Sequence, residues 1–351
     1  MNSNELLRAS ALAVAALTAC AGDEPVTDAT HRQQVLLAVK QHVATDLAEF
    51  VSAARALQAA APAPDADGWS ASRDAAAVTA MRAHWLRARR AYERVEGAIA
   101  VLFPDLDVST DQRYDAFLAD EIPTHRDDDL FDGEGVTGMH AIERILWADA
   151  HPPRVVTFEM GISGYVPAAF PSDMAQATRF RDGLVARLVR DAAQMQQEFA
   201  PLALDTPAAF RGVIGSVQEQ VEKVERAATA EEESRYAQVT LLDMRANLDG
   251  ARRTWQAFRA WVLFRNGAAL AGRIDARFAA LQQAYDSIQG DALPAVPMGW
   301  NPDMPSAEHR ATPYGRLRTT LAEESDPARA GSLAAEMNAA ADLLSIPRLA
   351  Q

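Results

Sequence analysis

Cysteine is almost missing from this 351-residue chain: Cys20 is the only one. No disulfide can form within the chain, no thiolate cluster can hold a metal, and cysteine catalysis is excluded from the folded part. Basic patches are missing as well. The net charge is -14 and the basic residues gather into no run, which excludes a nucleic-acid partner, because phosphate contact needs concentrated Lys and Arg. No apolar stretch reaches the roughly 20 residues that a membrane-spanning helix needs. There is no His-Glu-x-x-His helix, no Gly-x-Ser-x-Gly elbow and no phosphate-binding glycine loop. Nothing alternates between apolar and polar with period two, so the pattern offers no support for a sheet.

What is present begins at the amino terminus. Met1 to Leu7 is short and polar, Arg8 adds a positive charge, and Ala9 to Ala19 is dominated by Ala, Leu and Val. This is the layout of a signal peptide over residues 1–19. It ends in Leu17-Thr18-Ala19-Cys20, which resembles the bacterial lipobox. The expectation is cleavage before Cys20, lipidation of its thiol, and a chain anchored to a membrane on the extracytoplasmic, periplasmic side. An ordinary signal peptide with an incidental cysteine is the plain alternative. Residues 20–33 read as a tether.

Helical spacing dominates the rest. Leu36, Val39, Val43, Leu47, Phe50, Ala54 and Leu57 form one seam, and Val78, Met81, Trp85, Ala88, Tyr92, Val95, Ile99 and Leu102 form a second. Steps of three and four put each set on one helical face, which is buried against other helices. Phe103-Pro104 stops the second helix, and Asp105 to Gly138 reads as irregular and acidic. A helix from about Thr137 to Ala148 follows, then a long connection through Pro171. Ser172 and Thr206 are candidate N-caps, Pro207 standing at a first helical position. Met244 to Val262 and Ile274 to Ile288 give two further seams, 291–305 is a proline-rich loop, and a helical tail closes the chain. The pattern predicts an all-α fold of antiparallel helices in two bundles, 34–150 and 151–351.

Three groups of residues could carry chemistry. His140 and Glu143 lie three apart on a predicted helix and so share a face, as do the His and Glu of carboxylate metal sites. Such spacing also occurs in solvated pairs. Glu93 and Glu96 are likewise three apart and flank a buried seam, although Arg89, four residues before Glu93, would make an ordinary surface ion pair with it. Asp105, Asp107, Asp111 and Asp115 could offer oxygens to a hard cation, or could simply cap helices.

These segments resemble a known family. Thr137-Gly138-Met139-His140-Ala141-Ile142-Glu143-Arg144-Ile145-Leu146-Trp147 is similar to the Gly-x-His-x-x-Glu signature of imelysin-like proteins. Ala91 to Glu96, Phe103 to Asp107, Glu232 to Tyr236 and Ala246 to Ala251 resemble its EfeO/EfeM branch, which consists of extracytoplasmic iron-uptake proteins, and the chain resembles the shorter lipoprotein form of that branch. The resemblance implies an imelysin-like double bundle with a metal site in the cleft. It implies ligands at His140, Glu143, Glu93, Glu96 and Asp111, with a further carboxylate at Glu222. It further implies iron, Fe2+ or Fe3+, or another divalent cation as the bound ion, and an iron permease or a peroxidase as partner. Gln238-Val239-Thr240-Leu241-Leu242 departs from the more polar branch pattern. Two other functions are compatible with the family: cation-bridged binding of an acidic, alginate-type polysaccharide, and metallopeptidase activity, for which no motif supplies a base.

Overall fold

In a computed structural model, which describes residues 27–70, 72–119, 127 and 129–348, the first apolar seam forms α1, Asp28–Ala59. The signal segment 1–19 and Cys20 lie outside the described residues. Thr27 and Thr30 cap α1 reciprocally, each side chain accepting from the other's backbone N–H at 3.3 and 3.4 Å. The helix therefore starts inside the segment expected as a tether, because this cap satisfies amides that would otherwise be left without partners. Val35, Val39, Val43, Leu47, Phe50, Ala54 and Leu57 line its buried face; Val35, and not the half-buried Leu36, is the first position of the seam.

The second seam is not one helix. It breaks after α2 (Ala75–Glu93) and resumes as α3 (Glu96–Leu102). The segment expected to be irregular continues the helical path in α4 (Pro104–Asp111) and α5 (Tyr114–Ala119). Pro104 sits in the first turn of α4, where its missing N–H costs nothing, and Asp105 and Asp107 complement the positive end of the helix. Then follow α6 (Gly138–Leu146), α7 (Pro153–Glu159) and α8 (Met174–Arg179), a π-helical turn at Phe180–Leu184, and α9 (Val185–Phe199). The caps of α8 and of the next long helix are Asp173 and Asp205, not Ser172 and Thr206; each carboxylate accepts a backbone N–H three residues on.

The remaining helices are α10 (Thr206–Arg226), α11 (Thr240–Phe264), α12 (Ala268–Asp286), α13 (Ala307–Arg310), α14 (Pro313–Ser325) and α15 (Leu333–Leu344). The fold is all-α, with no strand among the described residues. Helix α1 packs along α2, α9 and α11; α10 packs along α11 and α14; α12 packs on α11 and α15. Helix α9 lies beyond residue 150 yet rests on α1, and α11 touches both groups of helices. Trp85, Trp255 and Trp261 are fully buried, and each indole N–H has an acceptor: the Met139 carbonyl at 2.8 Å, Asp275 at 2.8 Å and Asp28 at 2.6 Å. The first of these ties α2 to α6, the two helices that carry the residues of interest.

Candidate metal centre

Two close backbone contacts shape this centre. Gly250 of α11 lies against the break between α2 and α3: a Cβ there would stand 2.1 Å from the Arg94 carbonyl oxygen. The absent side chain lets the kink press onto α11, and the kink leaves Glu93, the last residue of α2, and Glu96, the first of α3, both buried. Gly138 begins α6 with φ +85°, and a Cβ on it would fall 2.2 Å from the carbonyl oxygen of Thr110. Only glycine tolerates both conditions. The contact sets the start of α6 against the end of α4 and so brings His140 to Asp111. Gly138→Ala should therefore lower stability by more than about 1 kcal/mol and weaken any ligand that uses both residues; denaturant melts and metal titration of the variant check this.

His140 is buried, and its Nδ1 lies 2.9 Å from Glu143 Oε2. The other oxygen of Glu143 accepts the backbone N–H groups of Tyr236 and Ala237 at 2.9 and 2.8 Å. Glu143 is thus fully engaged, and it does not reach the convergent groups described below. Its role is to fix the imidazole, with the proton on Nδ1 and the lone pair on Nε2. Burial lowers the His140 pKa, and the charge of Arg89 adds to that, which keeps the ring neutral. His140 Nε2 is buried with no hydrogen-bond partner among the described residues. It faces Asp111 Oδ1 at 3.4 Å. Asp111, His140 and Glu233 each offer one atom, all within 4.8 Å of one another, and so do Glu93, Glu96, Asp111 and Glu233.

Two cations sit among these acids. Arg89 is fully buried and its guanidinium pairs with Glu93, Asp111, Glu233 at 3.1 Å and Asp243 at 3.4 Å. The Nζ of Lys223 lies 3.0 Å from Glu93, 3.0 Å from Glu96 and 2.6 Å from Glu233. Asn247 donates to Glu96 at 2.8 Å and is itself held by Gln220 at 2.9 Å. Behind Glu143, the turn that presents Glu233 is pinned by Arg235, which pairs with Asp115 at 2.6 Å and Glu159 at 3.1 Å.

The structure brings together His140, Glu93, Glu96 and Asp111, and seats Glu143 behind His140. It does not bring in Glu222, whose side chain is 59% exposed and pairs with Arg226. The register of α10 turns the next residue, Lys223, inward instead. Arg89 and Glu93 are no surface pair, both side chains being inaccessible. Glu233, Asp243 and Lys223 escaped sequence reasoning, and Arg89 was read only as a surface partner of Glu93. Glu233 alone carried a signal, as a member of the Glu232-to-Tyr236 segment. Gln238 turns away and bonds Glu232 at 3.0 Å, while Thr240 is buried with its hydroxyl unbonded among the described residues.

Five carboxylates thus face two fixed cations, and some of them hold protons in compensation. Burial raises the Asp111 carboxyl to about 7 against the pull of Arg89, and raises Asp243 to about 7 in the same way. Glu233 differs: burial would raise it, but Lys223 and Arg89 outweigh burial and hold it well below the usual range. A carboxyl whose folded pKa is raised stabilises the fold below its unfolded value, and that contribution is lost as pH climbs through the folded value. The metal-free protein should therefore lose stability as pH rises from about 4, the unfolded value, to about 7, the folded value of Asp111 and Asp243, and a saturating cation should cancel the loss by replacing the protons. Thermal melts across that range, with and without metal, check the sign.

The imelysin family model matches residues 38–323 of the chain. Among curated proteins, the chain is 28% identical over 264 residues to the iron uptake system component EfeO of Yersinia pseudotuberculosis, covering 75% of this chain and 56% of that protein. It is 28% identical over 239 residues to the EfeO of Yersinia pestis, covering 68% and 49%. For Escherichia coli K12 EfeO the figures are 27% over 190 residues, 54% and 40%. The chain spans about half the length of the curated relatives it matches.

Proposed function

Because the chain belongs to the imelysin family, we propose that it is an extracytoplasmic, lipid-anchored protein that binds iron and supports its uptake. Cys20 carries the anchor in this reading, and the tether holds the binder beside a membrane partner, an iron permease or a peroxidase. The relatives' description as iron uptake components supports the role.

One observation carries the metal assignment. A neutral imidazole nitrogen is buried without a hydrogen-bond partner among the described residues and faces carboxylates from two other parts of the chain. An unsatisfied buried polar atom costs about 1–3 kcal/mol, and a metal ion at Asp111, His140 and Glu233 removes that cost. One nitrogen with several carboxylate oxygens suits iron or another hard divalent cation better than a soft one. Iron is the cargo here: the centre has to take it up and release it, and the proton-holding carboxyls make both steps depend on pH.

The test is an anoxic titration of the purified chain with Fe(II), followed by calorimetry and thermal melting. Saturable binding with a rise in melting temperature is expected; iron at 100 times its dissociation constant stabilises by about 2.7 kcal/mol. No heat and no shift would remove the functional reading.

A further inference from the structure

Lysine is rare in this chain. Of 34 basic residues only two, Lys40 and Lys223, are lysines, and the rest are arginine. Lys40 reaches from α1 to the Leu202 carbonyl at 2.8 Å, an ordinary task for either basic side chain. Lys223 stands in the acid cluster with a side chain only 3% exposed. An ammonium is a compact point charge whose three donors meet several carboxylates from one atom, whereas a guanidinium is a flat fork that spreads its contacts over separate nitrogens, as Arg89 does. The Nζ of Lys223 meets three carboxylates at 3.0, 3.0 and 2.6 Å, from Glu93, Glu96 and Glu233, with Glu219 further out at 3.8 Å. That is the seat of an ion, and it is filled by the protein itself.

The acids form two overlapping groups that could each hold a cation. One is Asp111, His140 and Glu233; the other is Glu93, Glu96, Asp111 and Glu233. They share Asp111 and Glu233. His140 Nε2 is buried, without a hydrogen-bond partner among the described residues, and faces into the first. The ammonium of Lys223 sits against three of the four acids of the second. We propose that Lys223 is a resident cation which fills the second position permanently, so that the chain takes up one metal ion and not two.

Several features agree with this. Glu93 and Glu96 come from the kink between α2 and α3, and Lys223 from α10, so the ammonium also ties these elements together. A metal in the second position would have to expel a buried ammonium from three carboxylates. A metal in the first position leaves the Glu93 and Glu96 contacts of Lys223 in place; it meets His140, Asp111 and Glu233, of which Asp111 and Glu233 also touch Arg89 and Glu233 also touches Lys223. Glu93 and Glu96 are then satisfied by lysine and do not ligate iron.

The inference rests on the metal reading above, and the experiment separates the two. Wild type, Lys223→Met and Lys223→Gln are loaded anoxically with Fe(II), dialysed, and assayed for iron per chain by elemental analysis. Wild type should hold one ion and each variant two, and adding Glu96→Gln to Lys223→Met should return the count to one. Circular dichroism identifies folded variants; Lys223→Gln keeps a donor in place should Lys223→Met not fold. No gain of an ion in a folded variant overturns the resident-cation role, and so does a wild type that holds two. A wild type that holds none overturns the functional reading instead. In that event a folded variant that gains one ion still supports the role of Lys223, and one that gains none overturns it.

Discussion

Replacing Arg89 with methionine is expected to destabilise the metal-free protein by about 3–5 kcal/mol at neutral pH, the range found when one partner of a buried ion pair is removed. The guanidinium is inaccessible and touches Glu93, Asp111, Glu233 and Asp243. Methionine fills much of the volume, so lost packing is a small part of the effect. Five carboxylates are then left with Lys223, which reaches Glu93, Glu96 and Glu233 but not Asp111 or Asp243, so the surplus must take up protons or stay charged in a poor dielectric. Two consequences distinguish this from a general packing defect. The loss should shrink in mild acid, where protonation neutralises the acids, and saturating Fe(II) should restore part of it, because a metal supplies the missing positive charge. Denaturant unfolding at two pH values with and without iron reads both. A loss below about 1 kcal/mol, comparable to that of an exposed pair, would show that Arg89 does not hold the cluster.

His140→Ala should do the opposite: a large effect on metal and a smaller one on the fold. The imidazole makes one hydrogen bond, to Glu143, and leaves Nε2 unsatisfied. Its removal relieves Nε2 but leaves Glu143 Oε2 without that bond, so the metal-free protein should lose about 1–3 kcal/mol, less than with Arg89→Met. Iron affinity should fall by more than the roughly 10- to 100-fold that follows loss of an outer partner. Glu143→Gln supplies that comparison. It keeps the acceptor for the Tyr236 and Ala237 amides and disturbs only the contact that orients the ring, so its loss should stay within the 10- to 100-fold range. Equal iron affinity in wild type and His140→Ala would remove His140 from the centre.

Much of the fold was legible in the sequence because long helices advertise themselves. The seam of α11 matches its buried face, that of α1 does so from Val39 on, and that of α12 as far as Tyr285. The kink after Glu93 was not legible: Gly97 close by lies inside α3, and the space that lets the kink press onto α11 is left by Gly250, more than 150 residues away. The helices within 104–119 were hidden by their acidic composition, which reads as loop until Pro104 is placed in a first turn. In the centre, His140 and Glu143 were visible through spacing and family likeness, and Gly138 through the same signature, although its reason lies in the approach of Thr110. The division of labour between His140 and Glu143 was not visible, because it depends on two amides 93 and 94 residues further on. Lys223 and Glu222 are neighbours in sequence, and only the register of α10 on α3 and α11 decides which of them faces in.

The central claim is that iron binds at His140, with oxygens from Asp111 and Glu233. X-ray absorption at the iron edge on the loaded chain, paired with anomalous diffraction from its crystals, tests it most directly. The expected result is one iron with a single imidazole nitrogen and otherwise oxygen neighbours, at a position between His140, Asp111 and Glu233 and displaced from the Lys223 ammonium. An all-oxygen iron, or iron located away from His140, would contradict the account.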